Sequence, residues 1–331
     1  MSEPRVLMDY LRLAADYLER SGSPSARLDA ELLLGHVLGL DRVGLYVNHD
    51  RPLVPAEVDA YREALRARAR GMPVAYITGT KEFLRTTLKV SPAVLVPRPE
   101  TELLVEAVVR WFQAGGAPDG LAASSPGVAG EPKEAPPAGP DGLPGSAEHT
   151  GRPLLADVGT GSGAIAIGLA LALPGARVLA VDISPEALAV ARTNVAAHGL
   201  EERIVLLEGD LLEPVAGWCR DNGAGRLDAV VANPPYIPAR DWDGLPRSVR
   251  EYEPRVALDG GSDGLAVYRR LIPQAARLLG PGGLLALEIG HDQEAALRAM
   301  LGPGGQWEDV AVRRDYAGHP RVVLARRGRE E

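Results

Sequence analysis

Apolar positions follow a helical period at the start of the chain and a strand–helix alternation in its second half. Leu7, Leu11, Ala14, Ala15 and Leu18 fall on one helical face. Ser21-Gly22-Ser23-Pro24 interrupts that pattern. Leu28, Leu32, Leu33, Val37 and Leu38 predict a second helix over residues 26–40, and a third spans 55–70, where Pro55 suits the first helical position. The third carries Val58, Tyr61 and Leu65 on one side and Arg62, Arg66 and Arg70 on another. That arginine row fits either a solvated face or a dock for an acidic partner. Residues 1–72 therefore read as a small helical domain.

At residue 73 the pattern changes. Val74-Ala75-Tyr76-Ile77, residues 86–90 and Val94-Leu95-Val96 predict strands, with a turn at Gly79, so residues 73–98 are expected to form a β-hairpin linker. Residues 100–113 return to a helical period. Residues 114–153 are mostly Gly, Pro and Ala, too poor in large apolar side chains to offset the entropy of ordering, and predict a disordered insertion. From residue 154 strands at 154–158, 177–183, 204–208, 228–232 and 284–289 alternate with helices at 164–173, 185–198, 266–279 and 293–301. Two strand-like runs near 308–313 and 321–325 close the chain. Regular alternation of this kind predicts an α/β fold, a doubly wound parallel sheet ending in an antiparallel strand, over residues 99–331.

Composition narrows the functional classes. Of 331 residues, 38 are Gly and 28 Pro, much of this excess lying in the 114–153 run. The net charge is −8, and the first hundred residues are nearly balanced, so the negative excess lies beyond them and disfavours nucleic-acid binding through a basic surface. One cysteine, Cys219, excludes an intramolecular disulfide and a cysteine-based zinc cluster, and the six scattered histidines offer no metal-site spacing. No apolar run approaches the ~20 residues of a membrane span. The N-terminus is acidic and has no signal-peptide block, so the chain reads as cytoplasmic.

Candidate chemistry sits at the strand ends. The first strand of the second half runs into Asp157-Val158-Gly159-Thr160-Gly161-Ser162-Gly163, a glycine-rich turn whose backbone allows close approach of a ligand at a helix N-terminus. Asp182 ends the next strand, where a carboxylate accepts ribose hydroxyls. The pair points to a nucleoside-containing cofactor and leaves NAD and S-adenosylmethionine both open. Asp210, at the third tip, reads either as an acceptor for an adenine amino group or as a helix N-cap.

Asn233-Pro234-Pro235-Tyr236 ends the fourth strand. Its prolines stiffen the backbone and remove N–H donors. The Asn233 side-chain oxygen and the Pro234 carbonyl would each accept one N–H of a planar –NH2 group, and Tyr236 adds an aromatic face. Such a clamp favours methyl transfer over hydride transfer. Asn233, Pro234 and Tyr236 are the expected catalytic residues, and residues 233–236 the expected substrate pocket.

Together these residues resemble the peptide chain release factor glutamine N5-methyltransferases, the PrmC/HemK family. The resemblance covers nearly the whole chain outside the insertion. It rests on Pro73-Val74-Ala75-Tyr76-Ile77-Thr78-Gly79 with Glu82-Phe83, and on Val94-Leu95-Val96-Pro97-Arg98-Pro99-Glu100-Thr101-Glu102. It also rests on residues 157–163, Ala180-Val181-Asp182-Ile183-Ser184, residues 233–237 and Tyr252-Glu253-Pro254. Gly260-Gly261-Ser262-Asp263-Gly264-Leu265, Pro281-Gly282-Gly283 and Leu287-Glu288-Ile289-Gly290 complete it. Asn-Pro-Pro-Tyr alone is shared with adenine-N6 methyltransferases of nucleic acid; the Pro-Arg-Pro-Glu-Thr-Glu run discriminates, and relatives that methylate a ribosomal-protein glutamine differ there.

The resemblance implies a class I S-adenosylmethionine-dependent methyltransferase domain behind a helical substrate-recognition domain. It implies S-adenosylmethionine bound by Gly159, Thr160, Gly161, Ser162, Gly163, Asp182, Asp210, Leu211 and Asn233, with no metal. It implies methylation of the Gly-Gly-Gln glutamine of class 1 release factors, with that side chain held by Asn233, Pro234, Pro235 and Tyr236. Two positions depart from the family: Arg85 stands where Gly is usual, and Leu211 where some members carry an aromatic residue. The competing readings are an adenine-N6 nucleic-acid methyltransferase, a ribosomal-protein glutamine methyltransferase, a NAD-dependent oxidoreductase and a non-catalytic scaffold.

Overall fold

The structure, a computed structural model, describes residues 6–116, 152–302 and 306–328. The Gly/Pro/Ala-rich run expected at 114–153 lies, from 117 to 151, outside the described residues.

Helices α1 (Leu7–Arg20), α2 (Ala26–Leu38), α3 (Arg42–Val47) and α4 (Pro55–Ala69) pack around their own core. Leu7, Leu11, Ala14 and Leu18 of α1 are buried there with Tyr61 and Leu65 of α4. The α2 stripe is rotated from expectation. Ala30, Leu33 and Leu34 face inward, whereas Leu28 and Leu32 remain 42% and 39% exposed. The rotation brings two acids inside: Asp29 pairs with Arg68 at 2.7 Å, and Glu31 accepts from Arg27, Arg42 and the Tyr46 hydroxyl. Apart from Arg27, those partners come from α3 and α4, so the pattern within α2 alone did not show which face is buried. Helix α3 was not predicted; it is six residues long, capped by the Asp41 side chain accepting from the Gly44 N–H at 2.7 Å.

Residues 73–98 differ most from expectation. Val74-Ala75-Tyr76-Ile77 is not a strand but part of helix α5 (Val74–Thr78), opened by Pro73 at φ −56° and ended by the left-handed Gly79. Short apolar runs do not separate buried strand from helix by period. Strands β1 (Thr80–Phe83) and β2 (Thr86–Lys89) form the hairpin, with Phe83 opposite Thr86. Its turn puts Leu84, not Arg85, in the left-handed region at φ 54°. The Glu102 carboxylate accepts the Leu84 N–H at 2.8 Å, so Arg85 needs no glycine-like backbone. Val94 and Val96 are buried but lie outside any strand.

Helix α6 (Pro99–Gln113) leads to a seven-stranded sheet. It contains β3 (Leu154–Val158), β4 (Arg177–Asp182), β5 (Ile204–Glu208), β6 (Leu227–Ala232), β7 (Leu279–Glu288), β8 (Trp307–Arg314) and β9 (Pro320–Arg327) in the order β5-β4-β3-β6-β7-β9-β8. Strands β3 to β7 are parallel; β9 inserts antiparallel between β7 and the edge strand β8. Alternate residues enter opposite layers. Leu155, Val178, Ala229 and Leu284 face one core, and Ala156, Leu179, Val230 and Leu285 the other. Helices α6 and α7 (Ala164–Ala172) line the first layer, with α8 (Pro185–Ala197) beside them. Helices α9 (Glu213–Asp221), α11 (Ala266–Leu278) and α12 (Glu294–Met300) line the second, and the short α10 (Arg247–Arg250) lies in the connection before α11. Helix α9 was not predicted, because only Val215 and Cys219 of it are buried. No described helix is long and apolar enough to cross a membrane.

Candidate active site

In an open α/β sheet the carboxyl ends of the strands face a crevice where the order reverses. Here that crevice is a cavity of about 290 Å3 between the tips of β3, β4, β5 and β6 and the segment leading into α6.

The loop after β3 is built on glycines. Gly159, Gly161 and Gly163 have φ of 75°, 55° and 83°, where a side chain is strained. A Cβ on Gly161 would meet nothing nearer than 4.0 Å, so conformation and not crowding demands glycine there. The loop amides bond inward. Gly159 and Thr160 N–H donate to the Val181 carbonyl at 2.9 Å, Gly161 N–H to Asp182 Oδ2 at 2.8 Å, and Gly163 N–H to the Thr160 carbonyl. Beneath the loop Asp157 is fully buried. Its Oδ2 accepts from the Thr160 hydroxyl at 2.6 Å and the Ala166 N–H at 3.0 Å, while Oδ1 has no partner among the described residues. Burial pushes its carboxyl up to about 7.

The structure brings Gly159, Thr160, Gly161, Ser162, Asp182, Asp210, Leu211, Asn233, Pro234 and Pro235 together on the cavity wall. Thr160 turns its hydroxyl to Asp157 and away from the cavity, and Ser162 is buried, its carbonyl accepting from Asn194. Gly163 is the N-cap of α7, packed against Ala191 behind the wall. Asp182 holds Gly161 N–H on one oxygen and Ser184 N–H on the other; burial raises its pKa and those two donors oppose the rise. Asp210 is not the helix N-cap, which is Leu212 for α9, and its carboxylate is ion-paired with Arg270 of α11. Leu211 has φ 51°.

The loop after β6 is held from far away. Asn233 Nδ2 donates to Thr101 Oγ1 at 3.1 Å, and Thr101 Oγ1 donates to Glu288 Oε2 at 2.7 Å. Glu288 ends β7, is 2% exposed, and is pushed by burial up to about 7. The Tyr236 carbonyl accepts from Gln293 Nε2 at 3.0 Å. A Cβ on Gly260 would stand 2.8 Å from Tyr236 backbone atoms, and one on Gly264 would collide with the Tyr236 carbonyl oxygen. The Ile237 N–H donates to the Leu258 carbonyl, and the Gly260 N–H to the Ile237 carbonyl. Tyr236, like Gly163, lies off the cavity wall. It is half-buried against the second core layer and is not among the described cavity-lining residues. Burial raises its pKa.

Four partners had no role in the sequence reading: Thr101 and Glu288, which stand within its motifs, and Gln293 and Arg270. A fifth, Arg98, donates to both oxygens of the buried Glu253 at 2.7 and 2.6 Å, tying the α6 entry to the segment before α11. A buried strand ending in an acid, Leu287-Glu288, was the available signal; its partner 187 residues away was not.

The PrmC N-terminal domain family matches residues 9–79, and the methyltransferase small domain family matches residues 147–243. A release factor glutamine methyltransferase of Moorella thermoacetica is 45% identical over 320 residues, covering 97% of this chain and 96% of that protein. Namesakes from Geobacter sulfurreducens and Chlorobaculum tepidum are each 41% identical, covering 98% and 96% of this chain and 96% of either protein. With the glycine loop, the Asn-Pro-Pro-Tyr loop and a two-part architecture matched over essentially its full length, the chain belongs to the release factor glutamine methyltransferase family.

Proposed function

We infer that this protein transfers a methyl group from S-adenosylmethionine to the side-chain amide nitrogen of the Gly-Gly-Gln glutamine in class 1 peptide chain release factors. The observation that carries the reading is the orientation of Asn233. Its Nδ2 is committed to Thr101, which leaves Oδ1, beside the N–H-free Pro234-Pro235 backbone, to accept from a planar amide at the cavity wall.

The residues around the cavity fit S-adenosylmethionine better than a dinucleotide. A diphosphate needs free amides in the glycine loop, but those of Gly159, Thr160, Gly161 and Gly163 are taken by the loop's own acceptors. The Asp182 carboxylate on the cavity wall suits a ligand that carries positive charge. Asp182 would hold the ribose, with Ile183 and Leu211 as apolar walls for the base. When bound, the cofactor supplies an electrophilic methyl group on a sulfonium.

The remaining work falls to the protein. An amide nitrogen is a weak nucleophile because its lone pair is delocalised, so it must be held at roughly 3–3.5 Å and in line with its target. Asn233 Oδ1 and the Pro234 carbonyl each take one N–H, which turns the lone pair toward the cofactor side and stabilises positive charge developing on nitrogen. The alkylated nitrogen then sheds its proton to water, without a strong base; no His or Lys is among the described lining residues. Residues 1–72 would select the protein partner, since an amide pocket alone does not distinguish one glutamine from another. Helices α2 and α3 carry exposed Leu28, Leu32, Val43, Tyr46 and Val47 for such contact, whereas Arg62 of the arginine row is a solvated ion pair with Asp59.

Mass spectrometry of a class 1 release factor incubated with the protein and S-adenosylmethionine tests the reading. One methyl on the Gly-Gly-Gln glutamine is expected. Cofactor binding without methylation of the release factor would refute the substrate.

A further inference from the structure

Hydrogen bonds have direction, and the chain Asn233–Thr101–Glu288 has only one proton to assign at its centre. An ionised Glu288 accepts only. Thr101 must then donate its hydroxyl proton to Glu288 Oε2, at 2.7 Å. The Thr101 oxygen can therefore only accept from Asn233, which must present Nδ2 to it, at 3.1 Å. By elimination Oδ1 points the other way. A neutral Glu288 removes this constraint. Protonated at Oε2, it donates to Thr101, Thr101 donates to Asn233 Oδ1, and the amide turns over. Nδ2 then meets the N–H of the incoming glutamine, donor against donor.

We propose that Glu288, acting through the Thr101 hydroxyl, is a positioning residue that sets the polarity of the Asn233 amide, so that an acceptor and not a donor faces the glutamine to be methylated. The proposal rests on a glutamine amide being the acceptor substrate. Geometry supports it in two further ways. Thr101 and Glu288 are both buried, so water does not substitute for either partner. The Tyr268 hydroxyl donates to the Glu288 carbonyl at 2.7 Å and anchors the end of β7.

Several groups face the Glu288 carboxyl. Glu100 of α6 opposes charge there, Arg321 of β9 favours it, and Thr101 and Asn233 donate toward it; the neutral Tyr236 and Tyr268 hydroxyls lie near it, and its charge raises their pKa values. Burial outweighs the favourable contacts, which puts the titration at about 7. The methyl-transfer rate should therefore fall on the acidic side of neutrality as Glu288 takes up a proton.

Three variants and one spectroscopic measurement decide the matter. Glu288→Gln and Thr101→Val should each lower kcat by about tenfold to a hundredfold, with KM for the release factor within about twofold of wild type. Thr101→Ser, which keeps the hydroxyl, should restore most of the loss. Glu288→Gln should also lose the acidic limb of the pH–rate profile. In the unliganded full-length protein, the side-chain carboxyl resonance of Glu288 and the side-chain amide resonance of Asn233 should titrate together by NMR, and Thr101→Val should uncouple them. A Glu288→Gln protein with wild-type kcat and an unchanged acidic limb overturns the proposal. So does a Thr101→Ser protein as impaired as Thr101→Val, or an Asn233 resonance indifferent to Glu288. If the wild-type protein methylates no release factor, the substrate reading fails, and the coupled titration still decides whether Glu288 orients Asn233.

Discussion

The loops at the tips of β3 and β6 face one cavity, but they are held in place differently. The glycine loop after β3 supports itself: its amides bond to Val181, Asp182 and Thr160, and its buried carboxylate, Asp157, is in the strand that feeds it. The Asn233–Tyr236 turn depends on others. Thr101 holds its asparagine, Gln293 holds the Tyr236 carbonyl, and Gly260 and Gly264 leave room for its backbone. The first loop is shaped by local conformation and the second by tertiary packing. Damage to the first should therefore stay local, whereas the second should be breakable from positions that never touch substrate.

The largest expected effect is direct. Asn233→Ala should lower kcat by about 10²–10³, as loss of an oriented polar group at a reacting centre does. The fall in cofactor affinity should be far smaller, read by calorimetry beside single-turnover methyl transfer. An unchanged rate would remove the amide clamp from the mechanism.

A glycine pair sharpens the contrast. Gly264→Ala drives a Cβ into the Tyr236 carbonyl oxygen and to 2.7 Å from Gln293 Nε2. Displacing the turn by roughly 1 Å should lower kcat/KM about 10², with about 1–3 kcal/mol of stability lost to overpacking. Gly161→Ala, at φ 55° in open space, faces backbone strain alone, roughly 1–2 kcal/mol, and should weaken the cofactor more than it slows the chemical step. If the two variants have the same kinetic signature, the two loops are not held differently.

A pH experiment separates the two buried acids. Asp157 and Glu288 both have pKa values raised by burial to about 7, against ordinary values near 4. Between those limits the folded chain keeps protons that the unfolded chain releases. Their contribution to stability is therefore present at low pH and lost as pH rises through about 7. Thermal unfolding of Asp157→Asn should show a shallower decline over that window than wild type. An identical slope would mean that Asp157 is already ionised in the fold.

The smallest effect is expected at Cys219. It is a residue of α9 that packs into the second core layer, and burial raises its thiol pKa. Cys219→Ala should leave methyl transfer unchanged and lower stability by about 1 kcal/mol, a small cavity's worth.

The same division explains what the sequence showed. The α/β alternation, the glycine turn after β3 and the acid at the end of β4 were legible because each depends on neighbours in the chain. Val74–Ile77 was misread as a strand because Pro73 and Gly79, not the apolar run, decide its form. The buried face of α2 was misassigned because Arg42 and Arg68, from other helices, neutralise the acids it turns inward. Tyr236 was expected at the cavity wall with its motif, but it is half-buried against the second core layer.

By itself, then, the sequence determined the fold class and the chemical type of the two cavity loops, since those follow from periodicity and from residue types at strand ends, and its motifs carried the resemblance to the family. Only the tertiary structure decided which way Asn233 faces and what holds it there. A hydrogen bond between residues 132 positions apart, passed on to a buried acid on β7, leaves no periodic or local trace; it exists only once the sheet brings α6, β6 and β7 together.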